Sequence, residues 1–419
     1  MVHKLILNAE IGHLESLNKK YLNGDAEIFK IIFDYFKSNK ILITLLITKK
    51  IWIKRDRKIE KSLNLLKDKG TIENFYIVDL VNSIHEKIPK NIYHSIRIKL
   101  SAMKESQKYS EEFSKIVNLI NPDFVFSFQD IFPVYYNSNI PLVVWGLHNS
   151  EYVIRFNYSK KENFFLKNQL LYLKLFLNNI FYKNRVKMVT LNLCPSIYCG
   201  KMNEKIFKNK PKVIYFNHPA RDLKNKQPSF KSGKKKIVSL IGTTQTTFAQ
   251  SNLDFLAYEI LLQYSKELAE FEFHIVGENK NNLHKSKKIL SKFTNVKFCG
   301  YLDDLYMKIL NSDIVLHAVK YPPTSGYKLP NICSGYPCLL LHKETFKGFP
   351  ELFRNKACLS ASTGREFVRK LKILAKNKSL SIKLRKNARK VYERYYSLNN
   401  LPKILEKCEK MVYRNYETS

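Results

Sequence analysis

One lysine, set among glycine, serine and proline residues, is the side chain of this sequence best placed to do chemistry. Lys328 lies in Ser325–Pro337 (SGYKLPNICSGYP), a stretch that predicts a Ser/Gly turn, a brief helix and a Gly-x-Pro turn between two apolar strands. Such a turn at a helix N-terminus directs backbone N–H groups and the positive end of the helix dipole towards one point, and the lysine adds a full charge. Ser325, Gly326 and Lys328 are therefore candidates for binding a diphosphate, with an ordinary loop between parallel strands as the alternative.

Glycine also follows three other predicted strands in this half of the chain, at Gly242, Gly277 and Gly300. Ligands of open parallel sheets bind at the carboxyl ends of the strands, so the loops that begin at these glycines are candidate binding segments. The threonine hydroxyls of the first loop would act as neutral phosphate donors, weaker than charged ones, and a polar turn is the alternative. The candidate residues of the three loops are Gly242, Thr243, Thr244, Gly277, Glu278 and Tyr301.

Two successive runs of alternating strands and helices would position these residues. Continuous apolar strands separated by helices, such as those predicted at 25–38 and 95–120, favour a parallel sheet covered on both faces. A lysine-rich stretch with proline, serine and glycine at 221–236 interrupts the pattern and predicts a linker; a helix is predicted at 252–268 beyond it. The predicted strands are 4–8, 41–48, 75–80, 124–128, 141–145, 187–194 and 212–215 before the linker, and 237–241, 272–276, 295–298, 313–318 and 338–342 after it.

Length and charge limit the class of protein. A chain of 419 residues is long enough for two domains. Lysine and arginine number 72 against 36 aspartates and glutamates, a formal net charge of +36, and such a surface attracts nucleic acid, anionic lipid or nucleotides. A composition rich in lysine, asparagine and isoleucine is also typical of an AT-rich genome, which would account for part of the charge.

The cysteines and the apolar runs predict a protein of a reducing compartment without a membrane span. Seven cysteines form no CxxC pair, so neither a zinc site nor a disulfide framework is expected. The N-terminal apolar core is too short for a signal peptide, and no uninterrupted apolar run reaches the roughly 18 residues of a spanning helix. Residues 163–187 interleave aromatic and apolar residues with lysines, which favours a helix lying at an anionic membrane surface; a buried interior helix is the alternative.

Several ordered motifs in the second half resemble those of the group 1 glycosyltransferases, glycosyltransferase family 4. The motifs are FHIVG at 273–277, NVKFCGY at 295–301, NSDIVLHA at 311–318, YKLPN at 327–331 and GYPCLL at 335–340. The resemblance covers residues 237–400 well and 1–220 loosely. It implies an α/β protein of the GT-B fold with two Rossmann-like domains and a central cleft. The implied parts are an acceptor-binding domain at 1–220, a linker at 221–236, a nucleotide-sugar-binding domain at 237–390 and a helix at 391–419 that crosses back.

The same resemblance implies roles for individual residues. Lys328 would pair with the donor diphosphate and stabilise the charge that develops on the leaving group. His148, directly after the predicted strand 141–145, would contact the donor sugar; taken alone, a single histidine is more often structural. Asn331 stands where relatives carry a glutamate that binds ribose or sugar hydroxyls. The loop at 242–247 lacks the arginine and lysine that many relatives place against the diphosphate.

The implied activity is transfer of a sugar from a nucleotide-sugar donor to a glycan or lipid-linked acceptor, with retention of configuration, in bacterial-type surface polysaccharide or lipopolysaccharide synthesis. No metal and no cofactor are expected, because GT-B enzymes use helix dipoles and basic side chains at the diphosphate. The expected location is cytoplasmic, peripheral at the inner face of the cytoplasmic membrane, with nucleic acid unlikely as a partner. A catalytically reduced GT-B protein that binds membrane or nucleic acid through its basic surface is the alternative, and the two departures at Asn331 and 242–247 favour it.

Overall fold

A computed structural model describes fourteen segments of the chain, and these fall into two compact units. The segments are 4–10, 14, 24–50, 57–80, 107–128, 136–146, 186–207, 212–222, 235–241, 247–277, 285–300, 302, 305–322 and 328–416. The first unit comprises Met1–Pro195, Cys199–Phe216 and Lys403–Ser419, and the second comprises Ser196–Tyr198 and Asn217–Pro402.

The first unit is built on a parallel sheet of seven strands in the order β3-β2-β1-β4-β5-β6-β7. Its central strands are buried along their whole length, as their continuous apolar sequences predict. The strands are β1 (Lys4–Glu10), β2 (Leu42–Lys50), β3 (Asn74–Leu80), β4 (Phe124–Phe128), β5 (Leu142–Trp145), β6 (Leu191–Cys194) and β7 (Lys212–Tyr215).

Helices flank this sheet, including the last helix of the chain. α1 (Gly24–Ser38), α2 (Arg57–Asp68), α3 (described over 107–120) and α4 (Ile197–Phe207) come from the N-terminal half. α12 (Leu401–Tyr416) comes from the other end of the sequence. Apolar residues of α12, of α1 and of the sheet line one small cavity. They are Leu405, Cys408 and Val412 of α12, Phe36 of α1, and Phe124, Phe126 and Val143 of the sheet.

The second unit repeats the architecture with six parallel strands in the order β10-β9-β8-β11-β12-β13. The strands are β8 (Lys236–Ile241), β9 (Phe271–Val276), β10 (Val296–Gly300), β11 (Ile314–His317), β12 (Leu339–His342) and β13 (Cys358–Ala361). The helices are α5 (Thr247–Asp254), α6 (Lys285–Leu290), α7 (Leu305–Leu310), α8 (Lys328–Ser334), α9 (Pro350–Arg354), α10 (Gly364–Lys376) and α11 (Lys378–Val391).

The structure confirms the predicted α/β class and the predicted strands, adds the unpredicted strand β13, and differs from the prediction at two further places. The strand expected at 187–194 begins only at Leu191, because Val186–Val189 forms a turn in which the Val189 N–H donates to the Val186 carbonyl at 3.1 Å. The helix expected at 252–268 begins at Thr247 and changes to a π-helix over Phe255–Leu261. Among the described helices, none is both long and apolar enough to cross a membrane.

Candidate functional site

The strand order of the second sheet reverses between β8 and β11. From β8 the chain proceeds to β9 and β10 on one side, then returns to place β11 on the other side of β8. Such a reversal leaves a crevice at the carboxyl ends of the two strands, because the connections leave in opposite directions, and ligands bind there in open α/β sheets. The side chains at this edge are therefore the first candidates for function.

A buried amide connects the two sides of this reversal point. Asn252 of α5, the helix that follows β8, accepts a hydrogen bond from the N–H of Ala318, the first residue after β11, at 2.8 Å. Asn252 is buried, and an unpaired amide there would be costly. The hydrogen bond therefore fixes the last turn of α5 against the end of β11.

Lys328 is the first residue of α8, the brief helix that the sequence predicts between β11 and β12. Its side chain is half-buried next to the buried Leu329 and Pro330, and burial lowers the pKa of the ammonium to about 8. Among the residues that the structure describes, no carboxylate pairs with it. A partly desolvated cation without a counter-charge gains from an incoming anion, so this position suits a phosphate group.

His317 ends β11 and lies within electrostatic reach of Lys328. Burial first, and then the charges of Lys328 and His342, lower its pKa to about 4. The imidazole is therefore neutral near pH 7. Its Nδ1 is buried, and within the described segments it has no hydrogen-bond partner. A neutral ring with an unused nitrogen beside an ammonium can bind a phosphate or hydroxyl oxygen.

The sequence analysis did not select His317. His148 follows the predicted strand 141–145, whereas His317 lies inside the predicted strand 313–318. The structure ends that strand at His317 and so places this histidine at the edge of the sheet.

Gly277 and Gly300 adopt backbone conformations at this edge that favour glycine. Their φ angles are +137° and +66°, and the Gly277 N–H donates to the Gly300 carbonyl at 2.7 Å. A Cβ at Gly300 would meet no atom of the described residues within 4 Å, so this part of the structure leaves space beside the backbone. A ligand could approach the main chain closely there.

Asn331 follows Lys328 by three residues in α8 and therefore lies on the same face of that helix. Its side chain is half-buried. Its backbone carbonyl accepts a hydrogen bond from the Ser334 hydroxyl at 2.7 Å.

His342, which ends the neighbouring strand β12, has a structural role instead. Its Nδ1 accepts the Glu344 N–H at 3.3 Å, and its Nε2 faces the Ser362 carbonyl at the same distance. Nε2 therefore carries the hydrogen. The ring stacks on Phe367 with centroids 6.4 Å apart. Both ring nitrogens of His342 therefore have partners, in contrast to Nδ1 of His317.

Three of the predicted site residues, Gly277, Lys328 and Asn331, are described by the structure, and all three belong to the second unit. The remaining predicted residues lie outside the described segments; they are His148, Gly242, Thr243, Thr244, Glu278, Tyr301, Ser325 and Gly326. Their roles stay predictions. The described residues include no group of three or more histidines, cysteines, aspartates or glutamates that could hold a metal ion.

The first sheet has an equivalent reversal between β1 and β4. Its polar side chains bond to one another. Asn8 donates to the Ser127 hydroxyl at 2.9 Å and accepts from Thr48 at 3.0 Å, and the Thr48 hydroxyl also bonds to that of Tyr109 at 3.0 Å. This buried chain holds three strands and α3 together, so its role is structural.

Comparison with solved structures identifies the architecture. No protein-family model and no curated protein matches the chain. Sucrose-phosphate synthase from Thermosynechococcus elongatus superposes with a TM-score of 0.64 at 9% identity, over 100% of both chains. HepE from Anabaena, solved with UDP and glucose, superposes with a TM-score of 0.58 at 11% identity, over 97% of this chain and 99% of the HepE chain. WaaG, a glycosyltransferase of lipopolysaccharide biosynthesis, superposes with a TM-score of 0.58 at 12% identity, over 98% of this chain and 99% of the WaaG chain.

The superpositions extend along nearly the whole chain, so these proteins share the fold described above. Sequence identity this low establishes the fold and leaves activity to the residues of the site. The chain is a protein of the GT-B fold.

Proposed function

We propose that this protein is a glycosyltransferase that moves a sugar from a nucleotide-sugar donor to a glycan or lipid-linked acceptor. The observation that carries the proposal is Lys328: an ammonium without a carboxylate partner among the described residues, at the start of a helix, at the carboxyl edge of the second sheet. A diphosphate supplies the missing counter-charge. HepE, with the same fold, binds UDP and glucose.

In the proposed reaction Lys328 binds the diphosphate of the donor. As the glycosidic bond breaks, negative charge grows on the phosphate oxygen that leaves, and the nearby ammonium stabilises it. The neutral His317, in the tautomer with its hydrogen on Nδ1, donates a hydrogen bond from Nδ1 to a phosphate oxygen. The nucleoside lies against the main chain at Gly277 and Gly300, and Asn331 contacts ribose or sugar hydroxyls.

The finer parts of the proposal come from the sequence resemblance. They are contact of His148 with the sugar, contacts of Gly242, Thr243, Thr244, Glu278, Tyr301, Ser325 and Gly326 with the donor, retention of configuration, and operation without a metal ion. Surface polysaccharide or lipopolysaccharide synthesis is proposed as the pathway, supported by the shared fold of WaaG.

The test is a binding panel of UDP, GDP, ADP and CMP, followed by incubation of the corresponding nucleotide-sugars with and without EDTA. We expect one nucleotide to bind and its sugar ester to be slowly hydrolysed, unaffected by EDTA. Asn331→Glu, which introduces the glutamate of relatives, should reduce turnover if asparagine is adapted to this donor. Binding of no nucleotide would contradict the proposal.

A second candidate function, a membrane-binding GT-B protein with reduced catalysis, is favoured by the charge distribution of the second unit. Helices α10 and α11 together carry eleven lysines and arginines and one glutamate, a net charge of +10. Helices α1, α2 and α12, of similar length, carry −1, +2 and +2. Positive charge is therefore denser on these two adjacent helices than on the three helices of the first unit, which composition alone does not explain.

The same two helices support a peripheral membrane location for an active enzyme. Seven of their basic residues are exposed, namely Arg365, Arg369, Lys376, Lys378, Lys383, Lys386 and Lys390, and Ile373 among them is 41% exposed. Exposed basic residues near an anionic membrane attract its headgroups by roughly 1 kcal/mol each. Membrane binding and catalysis are therefore compatible, and the nucleotide panel distinguishes the two candidate functions.

A further inference from the structure

Two buried arginines of α11 hold the end of α8 that lies opposite Lys328. Arg389 donates to the carbonyl of Ser334, the last residue of α8, at 3.0 Å. Arg385, one turn earlier, donates to the carbonyl of Tyr336 at 2.9 Å. A cation at the C-terminal end of a helix is favoured by the helix dipole. Because α8 is only seven residues long, roughly 10 Å at 1.5 Å per residue, fixing this end fixes the position of Lys328.

Arg389 also binds the segment through which the chain enters the second unit. The unit boundary follows Phe216, and residues 217–222 are called the crossing segment here. Both guanidinium ends of Arg389 donate to the carboxylate of Asp222, each at 2.7 Å. The planar fork of arginine suits such two-point binding of a carboxylate.

Further bonds fix the crossing segment to the end of α11. The Ala220 N–H donates to the Tyr396 carbonyl at 2.7 Å, and the Tyr392 hydroxyl donates to the Ala220 carbonyl at 3.0 Å. Arg389 lies over the Tyr392 ring at 4.7 Å. The crossing segment, α11 and α8 thus meet at one side chain, Arg389.

We infer that Asp222 and Arg389 are positioning residues for Lys328: through the Ser334 carbonyl they hold α8 in the register that places its first residue at the edge of the sheet. The inference rests on the proposed function, because it assigns this pair to the support of the donor-binding helix. Donor binding and the conformation of the crossing segment are then coupled, since both depend on the same guanidinium.

The pair offers variants that test the inference without leaving a charge buried. Asp222 is 43% exposed, whereas Arg389 is 9% exposed and also bonds to Glu393 at 2.7 Å. Asp222→Asn therefore removes one anchoring charge while Arg389 keeps a carboxylate. Asp222→Glu retains the carboxylate and should keep α8 in its parent position. Arg389→Lys keeps the positive charge but loses the two-point guanidinium contact with Asp222. Glu393→Gln is the matched control, because it removes the other carboxylate on Arg389 and leaves the crossing segment bound.

The first readout is the titration of Lys328 itself, measured by pH-dependent reductive methylation and mass spectrometry, which requires no nucleotide. Parent protein, Asp222→Glu and Glu393→Gln should titrate alike, near the pKa of about 8. In Asp222→Asn and Arg389→Lys, Lys328 should titrate closer to the ordinary lysine pKa of about 10.4, because a displaced α8 admits water to the ammonium. Identical Lys328 titration in all folded variants would overturn the inference.

The second readout is the dissociation constant for the nucleotide that the parent binds. Asp222→Asn should raise it roughly 10-fold, about the effect of one modest hydrogen-bond energy, whereas Glu393→Gln should leave it within a factor of two. If the parent binds no nucleotide, the proposed function fails, and the Lys328 titration still decides whether the pair positions α8.

Discussion

At the scale of single residues, the site depends on the charge of Lys328. Burial lowers the pKa of this ammonium to about 8, so the free protein loses the charge as the pH rises through that value. The dissociation constant for a nucleoside diphosphate should therefore be constant from pH 6.5 to 7.5 and increase above pH 8. Lys328→Ala should weaken nucleotide binding at pH 7 by roughly 1.5–3 kcal/mol, the free energy of a charge-assisted hydrogen bond. Folding should stay intact.

Lys328→Arg and Lys320→Ala sharpen this test. Arginine stays charged beyond pH 10, so Lys328→Arg should remove the rise above pH 8 even if its geometry weakens binding. Lys320 follows β11, as Lys328 does, but it pairs with Glu259 at 2.7 Å. Lys320→Ala should therefore change the dissociation constant for the nucleotide less than threefold. A pH profile that is the same in Lys328→Arg and the parent would exclude Lys328 from the site.

His317 should contribute a separate dependence of stability on pH. Burial first, and then Lys328 and His342, lower its pKa to about 4, while the unfolded chain binds the proton near pH 6.5. The unfolded state thus takes up more protons between these values, and stability falls as the pH drops from 6.5 to 4. The melting temperature of His317→Gln should fall less over this pH range than that of the parent. Equal falls would show that His317 is exposed to solvent in the folded protein.

At the scale of elements, a close contact between α10 and the π-helical segment Phe255–Leu261 should control stability. A Cβ on Gly364 would lie 1.8 Å from the Glu259 carbonyl oxygen and 2.7 Å from its carbon, and backbone atoms do not yield as side chains do. Gly364→Ala should destabilise by about 3 kcal/mol or more, or prevent folding. Gly70→Ala is the control, because the φ of Gly70 is +63° but no atom of the described residues lies within 4 Å of an added Cβ. This substitution should destabilise the protein by about 1–2 kcal/mol. Equal melting temperatures would contradict the contact.

The elements themselves were largely predictable, because buried parallel strands are continuous apolar runs. FVFSF and LLLH were recognised for this reason. β13 was missed because its sequence, CLSA, has one large apolar residue, and its two middle positions are half-buried at the sheet edge. Such a strand is specified by pairing with β12, which a local pattern does not show. Likewise the sequence predicted the helix that begins at Lys328, whereas the support from Arg389 and Asp222 joins residues 167 positions apart.

At the scale of the whole molecule, the excess charge can be assigned to composition or to a surface with a partner. The parent should bind vesicles containing anionic lipid, release them in high salt, and ignore neutral vesicles, because exposed charges are screened. The location of the charge is tested by Lys383→Gln/Lys386→Gln/Lys390→Gln, three exposed positions on one stripe of α11.

The matched control is Lys403→Gln/Lys407→Gln/Lys410→Gln, three exposed lysines on α12, in the first unit, with the same loss of net charge. At roughly 1 kcal/mol per lysine near an anionic surface, the α11 variant should weaken vesicle binding at least 10-fold more than the α12 variant. Replacement of Phe164, Phe165, Leu171 and Phe176 by serine tests the apolar contribution predicted for 163–187, a range outside the described segments. If both lysine variants weaken binding equally, the charge is compositional, and tighter binding to single-stranded RNA than to vesicles would identify a nucleic acid as the partner instead.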